Sequence, residues 1–294
     1  MGFRGVRSLL GTIKIMSKIL DGKALGLRVA EKLKKKINGL RIEPKLIIIQ
    51  IGDLPESNTY IRNKKLFGEK IGAIVIHKKY SNKVRESEII SQISKYNKDK
   101  SIHGIMVQLP APKGFDIEKV LETIDPKKDV DGLTAVNTKH LFDNHPAFVP
   151  ATAKGILDLL EKYKVSLVGK KVVIVGESSL VGRPAMLAFL NKGATVTMCH
   201  KNTKNLEKET RLADILVTAV GKINLITRKH VNKNQIVVDI GINILKDKSG
   251  KKKIIGDVDF KNVSKIVKAI TPVPGGVGPM TVASLFQNLL KAAS

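Results

Sequence analysis

Cysteine is almost missing from this 294-residue chain, which carries only Cys199. That excludes an intramolecular disulfide and a cysteine cluster for metal, and it fits a reducing compartment. The six histidines are scattered and form no HExxH-like pair, so nothing in the pattern calls for a protein-held metal. No apolar run approaches the roughly 20 residues that span a bilayer, which argues against a membrane protein. Acidic residues are scarce too: 26 Asp and Glu against 52 Lys and Arg leave a formal net charge of +26. Basic surfaces bind phosphate backbones without sequence preference. Here, however, lysine outnumbers arginine 43 to 9 and is spread along the whole chain, and aromatic content is only 4%. Few side chains are left on which bases can stack. Much of the excess reads as a lysine-, asparagine- and isoleucine-rich coding bias, and its functional use is more simply the steering of small polyanionic substrates.

What is present describes a globular enzyme-sized chain: hydrophobic content of 43% and enough length for two domains with buried cores. Residues 1–15 hold Arg4, Arg7 and Lys14 but no acid. They read either as an organelle transit peptide of mitochondrial type or as an upstream start before Met16, which leaves the protein cytoplasmic. Beyond them, strands and helices alternate. Helical spacing runs from Ala24 to Ile37 and stops at Asn38-Gly39. Leu46 to Ile51 is a nearly continuous apolar run, as expected of a strand buried on both faces. A helix from Pro55 to Ile71, a strand from Ala73 to His77, a helix from Arg85 to Tyr96 and a strand from Gly104 to Gln108 complete the first half. The pattern restarts after Pro150, with a helix from Thr152 to Tyr163. Strands at 170–175, 194–198, 215–220 and 235–239 follow, with a helix at 183–192. The expectation is an α/β protein of two domains with a cleft between them: an N-terminal α/β catalytic domain over 16–150 and a Rossmann-like, doubly wound dinucleotide-binding domain over 151–279. A C-terminal helix over 280–294 is expected to pack back on the first half.

Thr271 to Thr281 packs three prolines and three glycines into eleven residues between an apolar stretch and a helix expected from Val282. Such a segment is a shaped loop, and shaped loops between regular elements are where binding sites sit. Tyr60 and Lys64 stand one turn apart on one helix face. A partly desolvated lysine has its pKa lowered towards neutrality and can shuttle protons, although a solvated lysine beside a snorkelling tyrosine is the commoner meaning of such a pair. Gln108 closes a strand at the edge where open α/β sheets bind ligands. Asp129-Val130-Asp131-Gly132 has the look of a tight turn. Val175 to Gly182 joins a strand to a helix without the GxGxxG spacing, yet backbone N–H groups at a helix start still favour a phosphate.

Taken together these segments resemble the bifunctional methylenetetrahydrofolate dehydrogenase/methenyltetrahydrofolate cyclohydrolase family. The resemblance covers nearly all of residues 17–294. It rests on Ile19 to Lys23, Ser57 to Lys65, Gly104 to Pro110 (GIMVQLP), Lys128 to Leu133 (KDVDGL), Ile255 to Val258 and, most specifically, PVPGGVGPMT from Pro272 to Thr281. It implies that Lys64 is the catalytic lysine, that Tyr60 packs on the folate, that Gln108 helps set the protonation of Lys64, and that Asp131 holds the pterin ring. Val107 and Leu109 would also bind the substrate, and Pro274, Gly275, Gly276, Val277 and Gly278 would line the cleft beside it; Gly176, Glu177, Ser178, Lys201 and Ile242 would meet the cofactor. It further implies oxidation of 5,10-methylenetetrahydrofolate by NAD(P), hydrolysis of the methenyl product to 10-formyltetrahydrofolate, no metal, and a homodimer.

Two departures from the family pattern bear on function. Glu177 stands where NADP-dependent members carry an arginine for the 2′-phosphate, a change that forfeits at least the ~1.5–3 kcal/mol of a charge-assisted hydrogen bond. Yet Cys199-His200-Lys201 ends the next strand with no acid for an NAD ribose, and Lys201 suits a 2′-phosphate. NADP is the expectation, with NAD as the alternative. Pro150-Ala151-Thr152-Ala153 replaces Pro-Cys-Thr-Pro, a local hinge change with no loss of chemistry. Other functional readings are a cyclohydrolase-dominant member with a weak dehydrogenase half, and a basic RNA-binding protein that keeps the fold. Intact Tyr60, Lys64, Gln108 and Asp131 speak against the second.

Overall fold

The computed structural model describes residues 17–40, 42–145, 148–246 and 252–294. The basic arm at residues 1–15 lies outside them. The described chain opens with β1 (Lys18–Ile19) and α1 (Gly22–Asn38), whose first turn is capped by Asp21 accepting from the Ala24 N–H. Next come β2 (Lys45–Ile51), α2 (Pro55–Ile71), β3 (Ile74–Tyr80), α3 (Glu86–Lys98) and β4 (Gly104–Gln108). The short helices α4 (Ile117–Glu122) and α5 (Ala135–Phe142) lead to α6 (Ala151–Lys162). Then follow β5 (Lys171–Val175), α7 (Gly182–Leu190), β6 (Thr195–Cys199), α8 (Leu206–Arg211), β7 (Ile215–Thr218) and β8 (Ile236–Asp239). A hairpin of β9 (Asn243–Lys246) and β10 (Lys252–Ile255), helix α9 (Phe260–Val263), β11 (Ala269–Ile270) and helix α10 (Val277–Ala293) complete it.

Two parallel sheets organise these elements: a three-stranded sheet in the order β3-β2-β4 and a six-stranded sheet in the order β1-β11-β8-β7-β5-β6. β2 lies centrally in the first and is covered on both sides. Leu46 and Ile48 face α1, α2 and α10, while Ile47, Ile49 and Ile51 face Ile89, Ile93 and Val120 of α3 and α4. Burial on two faces is why its sequence is an unbroken apolar run with no alternation. The six-stranded sheet is likewise covered twice. Ile174, Val217 and Val238 meet α6, α7 and α10, and Val173, Val175 and Leu216 meet Ile226, Val231 and Val263 on the other side.

Two elements differ from expectation. Residues 18–19, placed by sequence at the opening of the first half, pair instead with β11 and form the outer strand of the six-stranded sheet. The Leu20 N–H continues that pairing to the Ile270 carbonyl, and the Leu20 side chain is buried in that sheet's core. A two-residue strand has no periodicity to reveal it. Helix α10 begins at Val277 and not at Val282, inside the proline- and glycine-rich segment. Pro279 is no barrier there, because an amide in the first helical turn has no intrahelical partner to lose.

Helix α10 is shared by both cores. Val277, Met280 and Ala283 belong to the core of the six-stranded sheet; Leu285, Phe286, Leu289 and Leu290 belong to that of the three-stranded sheet. Phe286 also stacks on Phe67 of α2 with ring centroids 5.1 Å apart. Truncation at so buried a ring leaves a cavity as well as losing burial. Phe286→Ala is expected to lower unfolding stability by about 3–5 kcal/mol, read from denaturant melts. A loss below about 1 kcal/mol would show that α10 does not close that core.

Candidate active site

Alternation along the central strands decides which side chains meet α2. On β4, Ile105 and Val107 point into the core under α3 and α4, whereas Met106 faces the core under α2. Gln108 shares the parity of Met106. Its Oε1 accepts a hydrogen bond from Lys64 Nζ at 2.8 Å, and its amide nitrogen donates to the Leu109 carbonyl at 2.7 Å. Lys64 is buried, with 8% of its surface exposed. Desolvation pushes its ammonium below the ordinary lysine range, and the nearby charge of Asp131 opposes that shift. Asp131 responds in the opposite sense. Its carboxyl is pushed up to about 6 by desolvation first, with the Lys64 charge pulling it down and Asp129 adding to the rise.

Asp131 is placed by its neighbour Asp129. The fully buried Asp129 carboxylate accepts from the N–H groups of Gly132 (2.9 Å) and Thr134 (2.8 Å), the Thr134 hydroxyl (2.8 Å) and the Asn137 side chain (2.9 Å). Helix α10 secures the same turn, since Asn288 donates to the Val130 carbonyl at 2.9 Å and to the Val149 carbonyl at 3.1 Å. Of the two aspartates in the KDVDGL segment, one builds the turn and the other faces the lysine.

Lys64 and Gln108 open onto a cleft of about 690 Å³ between the two sheets. Tyr60, Lys64 and Phe67 of α2 line one side, and Pro274 to Gly278 line another. The segment Val273-Pro274 has a cis peptide bond, as has Leu109-Pro110. The far wall is the carboxyl edge of the six-stranded sheet: Ala219, Val220 and Gly221 after β7, and Asp239 to Ile242 after β8. β5 has β6 on one side and β7 on the other, so the strand order reverses beside this wall, where doubly wound sheets bind dinucleotides. The turn after β5 is built tightly against it. A Cβ on Gly176, whose φ is +118°, would fall 2.5 Å from the Ala219 carbonyl oxygen. The absence of a Cβ lets the two backbone loops approach closely at the sheet edge.

Two family models match the chain: residues 20–131 the tetrahydrofolate dehydrogenase/cyclohydrolase catalytic domain, and residues 150–294 the NAD(P)-binding domain of the same family. The chain belongs to the tetrahydrofolate dehydrogenase/cyclohydrolase family. The bifunctional protein FolD of Nautilia profundicola is 44% identical over 278 residues, which is 94% of this chain and 96% of that one. The crystal structure of the Campylobacter jejuni bifunctional FolD superposes with a TM-score of 0.90 at 43% identity, covering 94% of this chain and 98% of the other. The Trypanosoma brucei methylenetetrahydrofolate dehydrogenase-cyclohydrolase, complexed with NADP cofactor and inhibitor, gives 0.91 at 31% identity, covering 95% and 97%.

Within this tetrahydrofolate dehydrogenase/cyclohydrolase cleft, Tyr60, Lys64, Gln108, Pro274, Gly275, Gly276, Val277, Gly278 and Ile242 line the wall, and Asp131 is near enough for its charge to act on Lys64 without forming a salt bridge. Val107 does not line it: its side chain is buried on the opposite face of β4, and Leu109 packs towards the same core. Only their backbone can reach a ligand in the cleft. Gly176, Glu177, Ser178 and Lys201 lie outside the cleft lining, at the neighbouring ends of β5 and β6, which the Gly176 N–H joins by donating to the Cys199 carbonyl at 2.9 Å. Sequence reasoning passed over Phe67, Thr152 and Asp239, which also line the cleft. Phe67 is three residues beyond Lys64 on the same helix, so periodicity was a usable signal. Asp239, a lone acid closing a buried strand, was another. Its carboxyl is pushed up to about 7 by desolvation, with Asp257 adding to the rise and backbone donors opposing it.

The coupling of Lys64 and Asp131 has a sign that can be checked. Asp131→Asn removes the charge that holds the Lys64 ammonium up, so the Lys64 pKa falls further. In the cyclohydrolase pH–rate profile the limb reporting Lys64 moves to lower pH, and a titration near 6 belonging to Asp131 is lost. A profile that superposes on wild type would show the two groups to be uncoupled.

Proposed function

We propose that this chain carries both activities of its family in the one cleft, with Lys64 as the proton-transfer group of the hydrolytic step. The observation that supports this most is the buried Lys64–Gln108 hydrogen bond near Asp131, in the wall of a cleft whose far wall is the edge of a parallel sheet. A folate bound against Tyr60, Phe67 and the Pro274–Gly278 segment has its reactive carbon between the two walls. When bound, the nicotinamide supplies the acceptor for the hydride that leaves the methylene carbon. For hydrolysis, Lys64 Nζ in its neutral form takes a proton as a water oxygen bonds to the methenyl carbon. The bond from that carbon to N5 then breaks, N5 gains a proton, the hydroxyl loses one, and 10-formyltetrahydrofolate results. Gln108 Oε1 holds the lysine in place whether charged or neutral. Asp131, ionised above about 6, biases the lysine towards retrieving its proton and offers acceptors to the pterin ring.

For the cofactor, Ala219 to Gly221 and Ile242 provide the wall, and the Gly176–Ser178 turn the phosphate side. Glu177 and Lys201 stand at adjoining strand ends, and Arg183 of α7 donates from Nε to the Glu177 carbonyl at 3.1 Å, so two cations share that corner with one acid. This supports NADP, the cofactor bound by the Trypanosoma brucei relative. The reading of a weaker dehydrogenase half rests on Glu177 alone. β6 leaves the outer edge of the six-stranded sheet unpaired among the described residues, in keeping with a homodimer.

Lys64→Met is expected to retain folate binding and lose cyclohydrolase activity by about 10³-fold or more, assayed by decay of methenyltetrahydrofolate. Near-normal hydrolysis would overturn the role given to Lys64. Glu177→Arg is expected to raise kcat/KM for NADP+ relative to NAD+ by about tenfold, the worth of one restored charge-assisted contact. An unchanged ratio would mean that residue 177 does not face the adenosine ribose.

A further inference from the structure

The Ile255–Val258 segment matches the family, yet none of its side chains carries out any step described above. Asp257 is fully buried, and the donors to its carboxylate all come from the end of β7, the loop after it and the start of the hairpin after β8. Its Oδ2 accepts from the Thr218 hydroxyl at 3.1 Å, the Val220 N–H at 2.7 Å and the Gly221 N–H at 3.2 Å. Its Oδ1 accepts from the Lys222 N–H at 2.8 Å and the Asn243 side chain at 3.1 Å. Thus one carboxylate gathers the loop after β7 and the start of the hairpin after β8. These are the two segments whose Ala219–Gly221 and Ile242 make the far wall.

Asp239 repeats the arrangement one layer nearer the proline- and glycine-rich segment. It accepts from the N–H groups of Gly241 (2.9 Å), Asp257 (3.1 Å) and Val258 (3.0 Å), while its own N–H donates to the Thr271 hydroxyl at 2.8 Å. Two glycines make room for the pair. A Cβ on Gly241 would lie 2.1 Å from Asp257 Oδ1, and one on Gly256 would lie 1.9 Å from Asp239 Oδ2. The two carboxylates thus occupy the space that side chains at 241 and 256 would need.

We propose that Asp257 is a positioning residue for the dehydrogenase half: by holding residues 218–222 and Asn243 on a single carboxylate, it fixes the wall on which the nicotinamide cofactor rests. This rests on the placement of the cofactor against Ala219–Gly221 and Ile242 argued above. No contact of Asp257 reaches Lys64, Gln108 or Asp131, so its loss acts unequally on the two reactions. A residue that merely stabilised the fold would depress both together.

The test uses the full-length protein with three substitutions. In Asp257→Asn an amide replaces one acceptor oxygen and cannot serve all the donors. The cofactor KM is expected to rise about tenfold or more, and dehydrogenase kcat/KM to fall about tenfold further than cyclohydrolase kcat/KM. Equal falls, or an unchanged cofactor KM, would overturn the proposal. Should Asp257→Asn not fold, Thr218→Val decides, because it keeps the shape and removes one donor. It is expected to raise the cofactor KM about two- to fivefold with folate KM moving less, and an unchanged cofactor KM would again overturn the proposal. Val220→Trp tests the wall itself. If it leaves the cofactor KM unchanged, the cofactor is not seated there. If it raises that KM while the other two substitutions do not, the cofactor is where it was placed and Asp257 does not position it.

Discussion

Helix α10 sets the geometry on which everything else depends. Its first half is packed into the core of the six-stranded sheet and its second half into that of the three-stranded sheet. The two sheets therefore do not meet as independent bodies with a surface-like interface, and moving one against the other exposes apolar side chains of the same helix. The cleft width follows from that shared packing. The same helix fixes the catalytic corner at closer range, because Asn288 holds the carbonyls of Val130 and Val149 on either side of the segment that carries Asp131. Its first turn is also part of the cleft wall, so one helix supports the site from below and lines it from the side.

Within that frame the chemistry turns on where a single amine is buried. The chain has 43 lysines, and among the described residues only Lys64 is buried. Lys64 differs by being taken out of water and given one neutral acceptor, Gln108, and one coupled carboxylate, Asp131. A neutral partner does not restore what desolvation removes, so the charged form loses ground. A fully ionised partner in direct contact would have held the proton firmly. The observed combination leaves the lysine able to change state, as a proton-transfer group must.

Much of this was readable from the residues. The continuous isoleucine run of β2 announced a strand buried on both faces, and the Tyr60/Lys64 spacing announced one helix face. Local pattern could not give contact at a distance, and the expectation that Gln108 acts on Lys64 came from the family resemblance alone. The meeting of Lys64 with Gln108 depends on β4 pairing with β2 in one register, and nothing local in either segment encodes it. The turn read at Asp129 to Gly132 did not say which aspartate builds it, and the four donors converging on Asp129 show that it is Asp129. The prolines and glycines near residue 275 misled in a specific way. Their composition reads as loop throughout, whereas the first turn of a helix tolerates both. A motif names consecutive residues, whereas a strand sends alternate side chains to opposite faces, so Gln108 faces the cleft and the Val107 side chain faces the core beneath α3 and α4.

The sharing of α10 also sets an order of assembly. β2, β3 and β4 are complete once residue 108 has been made, but the core on their α2 side stays open until residues 277–293 emerge. β1 waits similarly for β11, its partner in the six-stranded sheet. A ribosome-bound chain that has reached residue 270 thus has both sheets drafted, with the α10-facing side of each still unsealed. Chaperone protection during synthesis would matter most over that interval, and the final closure of both lobes and of the catalytic cleft becomes one event.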